Sequence, residues 1–519
     1  MKLLATVASL LLATLLGQVA AAATPDWNRQ AASRSGARSV DIAGWLAGAD
    51  VGMFNTNVGG FAFDMSFMQS WGLEFPLGSG TGVVFASGIW LGAMVAGSPR
   101  VTVSEYSSEF LPGIAPAAIP ENPSAPELYV YKLSRTYGST AARDAALQAY
   151  QANAVPRGAP SVQVLGDGSL SILGDQMTYS VFNDLDASAH TAPPGSTSPL
   201  QVEVRHTSWA YNRPGPIGRS LFMRFTILNR GASLLQGMHV AFWVDPDVGQ
   251  YDDDRVGCDI GRSLAYGYNA NNSDPVFGSS PPAVGYDLLQ GPWNAALGRR
   301  MPMTALVRYT TGTIPYSAVE SYRVMRGLTV TGASIKDPSN VTTKFMHSGD
   351  PVAGTGWVDV SSLDQRFLMS SGPFDMASGQ TQDIVLAILV ARGTDRLTSV
   401  TLLKQASDQV QAAFDANQLD LLDTPALAPP ARLMFSGARP NPSRGDGSVT
   451  FSLPRESDVT LEVLDLAGRR VASARWDALP AGVNSRPLPA GVRGLPAGMY
   501  VLRLSAGAEH ATQRWVALP

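Results

Sequence analysis

The chain has a single cysteine, Cys258, among its 519 residues. No intrachain disulfide can form, so stability must come from packing, hydrogen bonding or a bound ion. Charge is sparse as well. Asp, Glu, Lys and Arg make up 15% of the residues, and the basic side chains are nearly all Arg, with five Lys. A formal net charge of −4 and the lack of a basic cluster argue against a nucleic-acid partner. Enzyme signatures are missing too: there is no H-E-x-x-H helix, no G-x-S-x-G elbow and no P-loop. The five histidines (His190, His206, His239, His347 and His510) are scattered, and His206 and His239 lie in apolar, strand-like runs that point to packing. Beyond the first residues no apolar run is long enough for a transmembrane anchor.

The opening "MKLLATVASLLLATLLGQVAAAATPDW" has a basic start, an apolar run and then small residues. These are the three parts of a secretory signal peptide, assigned to 1–22, with a flexible leader over 23–45. From 46 to 420 short apolar runs are separated by Gly, Pro, Asn and Asp. "TGVVFASGIWLGAMVAG" (81–97), "QVEVRHTSWAY" (201–211), "SLFMRFTILNR" (220–230), "GMHVAFWVD" (237–245) and "TQDIVLAILVARG" (381–393) have strand composition. Many strands without regular intervening helices predict a mostly β protein of multidomain antiparallel β-sandwiches, with two sandwich subdomains in this region. Two amphipathic helices are expected. One is "STAARDAALQAYQANA" (139–154), capped by Ser139 or Thr140. The other spans about 396–417, with Leu403, Ala406 or Ser407, Val410 and Phe414 on one face. A Pro-rich linker at 421–435 precedes a compact unit at 436–519, whose alternating segments predict a small sandwich with a turn at "DLAGRR" (465–470).

"ARPNPSRGDGSVTFSLP" (438–454), "VTLEVLDLAGRRV" (459–471), "LPAGMYVLRLSAG" (495–507) and "ATQRWVAL" resemble the type A C-terminal sorting domains of the type IX secretion system. They also resemble the related immunoglobulin-like domain of flagellar hook-capping proteins. The resemblance implies passage across an outer membrane after Sec export, delivery to the cell surface or medium, and the outer-membrane secretion machinery as partner. Such domains often finish with a basic tail, whereas this chain ends "RWVALP". The main region, including "FMHSGDPVAGTGWVD" (345–359), is similar to large secreted bacterial proteins that carry such domains and have no assigned activity.

The densest acid in the chain is "PDVGQYDDDRVGCD" (246–259), with Asp245 just ahead of it. Like charges this close repel unless they are solvated, protonated or gathered round a cation. Asp245, Asp247, Asp252, Asp253, Asp254 and Asp259 are therefore candidate ligands for calcium, which takes six to eight oxygens from carboxylates, carbonyls and water. Asp245 and Asp247 have the spacing of the first two ligands of a D-x-D loop. Gly249 stands where a third acid belongs and no Glu fills the twelfth position, which excludes a helix–loop–helix site. The alternative is a solvated acidic turn. Asn269, Asn271, Asn272 and Asp274 could add ligands or form turns. Cys258 reads as a small buried residue. Glu105 and Glu109 in "SEYSSEF" could form a catalytic carboxylate pair, and the aromatic run 54–75 could line a sugar platform. The expected function is that of a non-catalytic exported protein, structural or adhesive and calcium-stabilised, with surface polysaccharide as a further partner. The alternative is a secreted polysaccharide-acting hydrolase or carbohydrate-binding protein.

Overall fold

In a computed structural model the described residues are 43–64, 71–115, 125–191, 194–419, 433–439, 441–445, 447–479 and 482–518. The signal peptide, nearly all of the leader and most of the linker lie outside them. Among the described residues, 43–391 hold two antiparallel sheets of ten and nine strands and two small two-stranded ones. Strands of the two sheets interleave along the chain: Leu235–Asp245 belongs to the larger sheet, Asp254–Asp259 and Leu264–Asn269 to the smaller, and Arg366–Met376 to the larger again. Among the described residues this pair of sheets shares one core.

The side-chain pattern explains why several strands read as unbroken apolar runs. Val240, Phe242 and Val244 point between the sheets, while Ala241 and Trp243 point to the outer face of the larger sheet, and all five are buried. In Thr381–Ala391 the residues Ile384, Leu386, Ile388 and Val390 face inward, and Val385, Ala387 and Leu389 face outward. Each strand is thus covered on both sides, so alternation of polar and apolar residues is lost.

Helices supply the outer cover. Helix α1 (Thr140–Asn153) starts at Ser139, whose side chain accepts from Ala142 N–H, and buries Leu147 and Tyr150. Helix α2 (Ala318–Met325), not anticipated from the sequence, packs Tyr322, Val324 and Met325 on the larger sheet. It is eight residues long and follows a Ser317 cap, a signal too brief to stand out from loop composition. Helix α3 (Arg396–Asp415) is capped by Asp395 and buries Leu403, Ala406, Ser407 and Val410 against the smaller sheet, the face expected from its spacing. The main unit is a four-layer α/β/β/α sandwich.

The C-terminal unit pairs a three-stranded sheet (Met434–Arg439, Ser448–Leu453, Gly482–Pro487) with a four-stranded one (Ser457–Leu464, Arg470–Leu479, Gly498–Ala506, Glu509–Ala517). Val449, Phe451, Leu461, Leu502 and Trp515 fill its core. Asn441 of the Pro-Asn-Pro opening donates to Arg514 O at 2.9 Å and accepts from Val516 N–H at 2.9 Å, pinning the last strand. At the expected turn, Asp465 accepts from the amides of Ala467 and Arg469.

Beneath α3 lies a buried carboxyl, Asp287, whose ordinary value is pushed up to about 8 by burial, Ser407 and Arg262 only partly offsetting this. A carboxyl raised on folding stabilises the native state fully below its unfolded value of about 4, and that contribution is lost as pH rises through the folded value. Stability should therefore fall between about pH 4 and about pH 8. Asp287→Asn should flatten that fall in urea titrations, and an unchanged pH slope would show that Asp287 does not carry it.

Candidate functional site: the acidic rim

Strand Leu235–Asp245 ends at the rim of the sandwich, where residues 246–253 cross from the larger sheet to the smaller. Asp245 is 2% exposed at the strand end. Its Oδ2 accepts from the Tyr106 hydroxyl at 2.5 Å, and its Oδ1 lies 3.1 Å from Arg366 Nε. Arg366 also holds Asp364 at 2.8 Å. Burial raises the Asp245 carboxyl to about 6, with Arg366 opposing it. Asp247 is raised to about 8, by burial and then by the charge of Asp245. One oxygen each of Asp245, Asp247 and Asp364 falls within a 4.8 Å group. Asp364 carries no motif; only the pairing of Arg366–Met376 with Leu235–Asp245 brings it here.

The other expected ligands are drawn elsewhere. Asp254 is fully buried, and its Oδ2 accepts from Val248 N–H at 2.9 Å. Burial holds its carboxyl well above the usual range. Asp253 accepts from Asn269 at 3.1 Å and from Asn271 at 3.2 Å. Asp252 is exposed and takes the Gln250 amide at 2.6 Å. Asp259 lies five residues further along its strand, roughly 17 Å from Asp254, ion-paired with Arg262 at 2.7 Å. The six acids are thus not one site: two of them meet Asp364, and the rest brace the rim or pair with Arg262.

Asp274 explains the missing third acid. Its carboxylate accepts from the backbone N–H of Gln250, Val276 and Phe277 and from Asn269 Nδ2. Gly249 has φ +82°, and a Cβ there would stand 2.4 Å from Asp274 Oδ1. Only glycine fits. Asn272 accepts from Arg396 N–H at 3.0 Å, tying the same turn to the start of α3. Cys258 is buried, its thiol pushed up to about 12 by burial, and it packs as expected.

The two glutamates of "SEYSSEF" take different roles. Glu109 is buried and accepts from Val103 N–H at 3.1 Å and Ser196 N–H at 2.7 Å, with His190 Nδ1 at 3.7 Å. Glu105 sits beside Arg366 and Asp245, raised to about 8 chiefly by burial. His206 is buried, stacked on Phe225 at 4.5 Å with Nε2 2.8 Å from the Ser208 hydroxyl, and is lowered to about 3 by burial. In the aromatic run, Phe61 and Phe63 are core side chains, and residues 65–70 lie outside the described set.

The scan against known families matches residues 439–517 to the secretion system C-terminal sorting domain. This is a sorting domain. It marks the chain for export by the type IX system to the cell surface or extracellular space, with that machinery as partner. No described helix is long and apolar enough to cross a membrane. No curated protein matches the chain. Solved structures with partial likeness include a polysaccharide lyase (10% identity, 63% of this chain and 36% of that one, TM-score 0.21). A Ruminococcus gnavus β-glucuronidase is 7% identical over 46% of this chain and 34% of that one, with a TM-score of 0.11. The BSP domain of a biofilm-associated protein is 9% identical over 69% and 80%, with a TM-score of 0.13. The chain spans about a third of the lyase's length. At these TM-scores the likenesses carry no functional argument.

Removing Arg366 strands a buried carboxylate, which costs about 3–5 kcal/mol; removing the Tyr106 hydroxyl deletes one donor, about 1–3 kcal/mol. Arg366→Met should therefore destabilise the protein more than Tyr106→Phe in urea unfolding. Equal, small losses would show that the rim does not depend on this pair.

Proposed function

We propose that the chain is a non-catalytic exported protein with a structural or adhesive role, sent outward by its sorting domain and stabilised by calcium at the rim. The observation that carries this reading is the inward use of the acidic loop: Asp254 Oδ2 and both Asp274 oxygens accept from the Val248, Gln250, Val276 and Phe277 amides rather than facing an open cleft. Such a loop is a brace between two sheets. Asp245, Asp247 and Asp364 suit calcium because oxygens 2.3–2.6 Å from one ion lie up to about 5 Å apart, comparable with their 4.8 Å grouping. Carboxylates raised by burial and mutual repulsion gain most from a divalent cation. Surface polysaccharide is the partner class that an adhesive protein in this location would meet.

The hydrolase reading draws on Glu105 beside Asp245, two carboxyls raised to about 8 and about 6. Both are engaged with the Arg366 and Tyr106 cluster, which favours a bracing role. Melting curves of the full chain with calcium and with chelator test the proposal. Calcium at 100 times its Kd should add about 2.7 kcal/mol, and an Asp247→Asn/Asp364→Asn variant should lose the effect. Superimposed curves for the native chain would remove calcium from the reading.

A further inference from the structure

The other end of strand Leu235–Asp245 is polar as well. Its start carries a bulge, with register breaks between Gln236 and His239 on one side and around Met238 on the other. His239 lies six positions before Asp245, about 20 Å along a strand. The bulge borders a cleft of about 470 Å³ on the outer face of the larger sheet, beside α2. Gly237, at φ +58°, turns its carbonyl toward two side chains at once: His239 Nδ1 donates to it at 2.9 Å and the Tyr322 hydroxyl at 2.7 Å. The two rings meet edge to face at 5.8 Å.

This arrangement fixes the chemistry of the cleft. With Nδ1–H committed to a carbonyl, the Nε2 of His239 is a hydrogen-bond acceptor, and among the described residues it has no partner although the residue is 4% exposed. Arg326 and Lys344 stand at the cleft's edge, exposed, and neither makes an ion pair among the described residues. Gly327, at φ +76°, lets the Lys344 stem pack against the end of α2, since a Cβ there would lie 2.7 Å from Lys344 Cβ. Arg326 packs 5.7 Å over the Tyr322 ring. Met94 and Pro373 complete an apolar wall with that ring. One carboxylate, Asp375, stands at the bulge and takes Gly237 N–H at 2.8 Å.

We propose that this cleft binds a uronate unit of an acidic polysaccharide. The ligand carboxylate pairs with Arg326 and Lys344, a ring hydroxyl donates to His239 Nε2, and the apolar face of the sugar lies against Met94 and Pro373. The two exposed cations favour an anionic sugar over a neutral one, and the apolar wall with the His239 acceptor favours a sugar over inorganic phosphate or a fatty acid. The volume suits one or two pyranose rings, at the small end of ligand clefts. The inference rests on the adhesive reading for where the polysaccharide is met, not for the chemistry of the site.

Calorimetric titration of the full chain with a glucuronate-containing oligosaccharide, a neutral glucose oligosaccharide and a sulfated oligosaccharide lacking uronate tests it. Binding is expected for the uronate ligand alone. An Arg326→Met/Lys344→Met variant should weaken that binding at least ~10-fold, as loss of charge-assisted contacts requires, with an unchanged melting curve, and His239→Phe should weaken it too. Equal binding of the neutral or sulfated ligand, no uronate binding by natively melting protein, or full affinity in the double variant would each overturn the proposal. None of these outcomes alters calcium-dependent melting, so failure here and failure of the rim reading are separable.

Discussion

The rim of the sandwich depends on one buried contact, Arg366 against Asp245, completed by the Tyr106 hydroxyl. A carboxylate 2% exposed is stable there only because a guanidinium and a phenol replace the water it lost. The contact joins neighbouring strands of the larger sheet to the segment that follows Ser98–Val103. It also fixes where the acidic loop leaves for the smaller sheet. Everything around it follows from charge that must be accommodated once chain direction is set. Asp364 shares the arginine, Asp247 is pushed toward neutrality, and Asp254 and Asp274 turn to backbone amides.

The same strand shows how placement separates two chemistries. Its end gathers carboxylates and its start, at the Gln236–Val240 bulge, faces unpaired cations and an acceptor histidine. Because both faces of the strand are buried through Val240–Val244, polar groups can occur only at its two ends. The sorting domain marks both ends for the outside of the cell.

Much of this was legible in residue order. Strand composition, the Ser139 cap, the Leu403–Val410 face of α3, the Asp465 turn and the sorting-domain segments all have local causes, and local causes can be read from sequence. Helix α2 is too short for its period to register, and the number of core units depends on which sheet each strand joins, a non-local matter. The acidic run could be seen, but not its division. Asp259 is separated from Asp254 by the length of a strand, and Asp364 enters through pairing across more than a hundred residues. In sequence Gly249 occupies a ligand position without a ligand; in the fold its constraint is the approach of the Asp274 carboxylate.

The most direct measurement is anomalous diffraction from crystals grown with calcium. A single peak between Asp245, Asp247 and Asp364 is predicted, with Arg366 still paired to Asp245. A peak at Asp252, Asp253 or Asp259 instead, or no peak with the three carboxylates in place, would contradict the assignment of the rim as a calcium-stabilised brace.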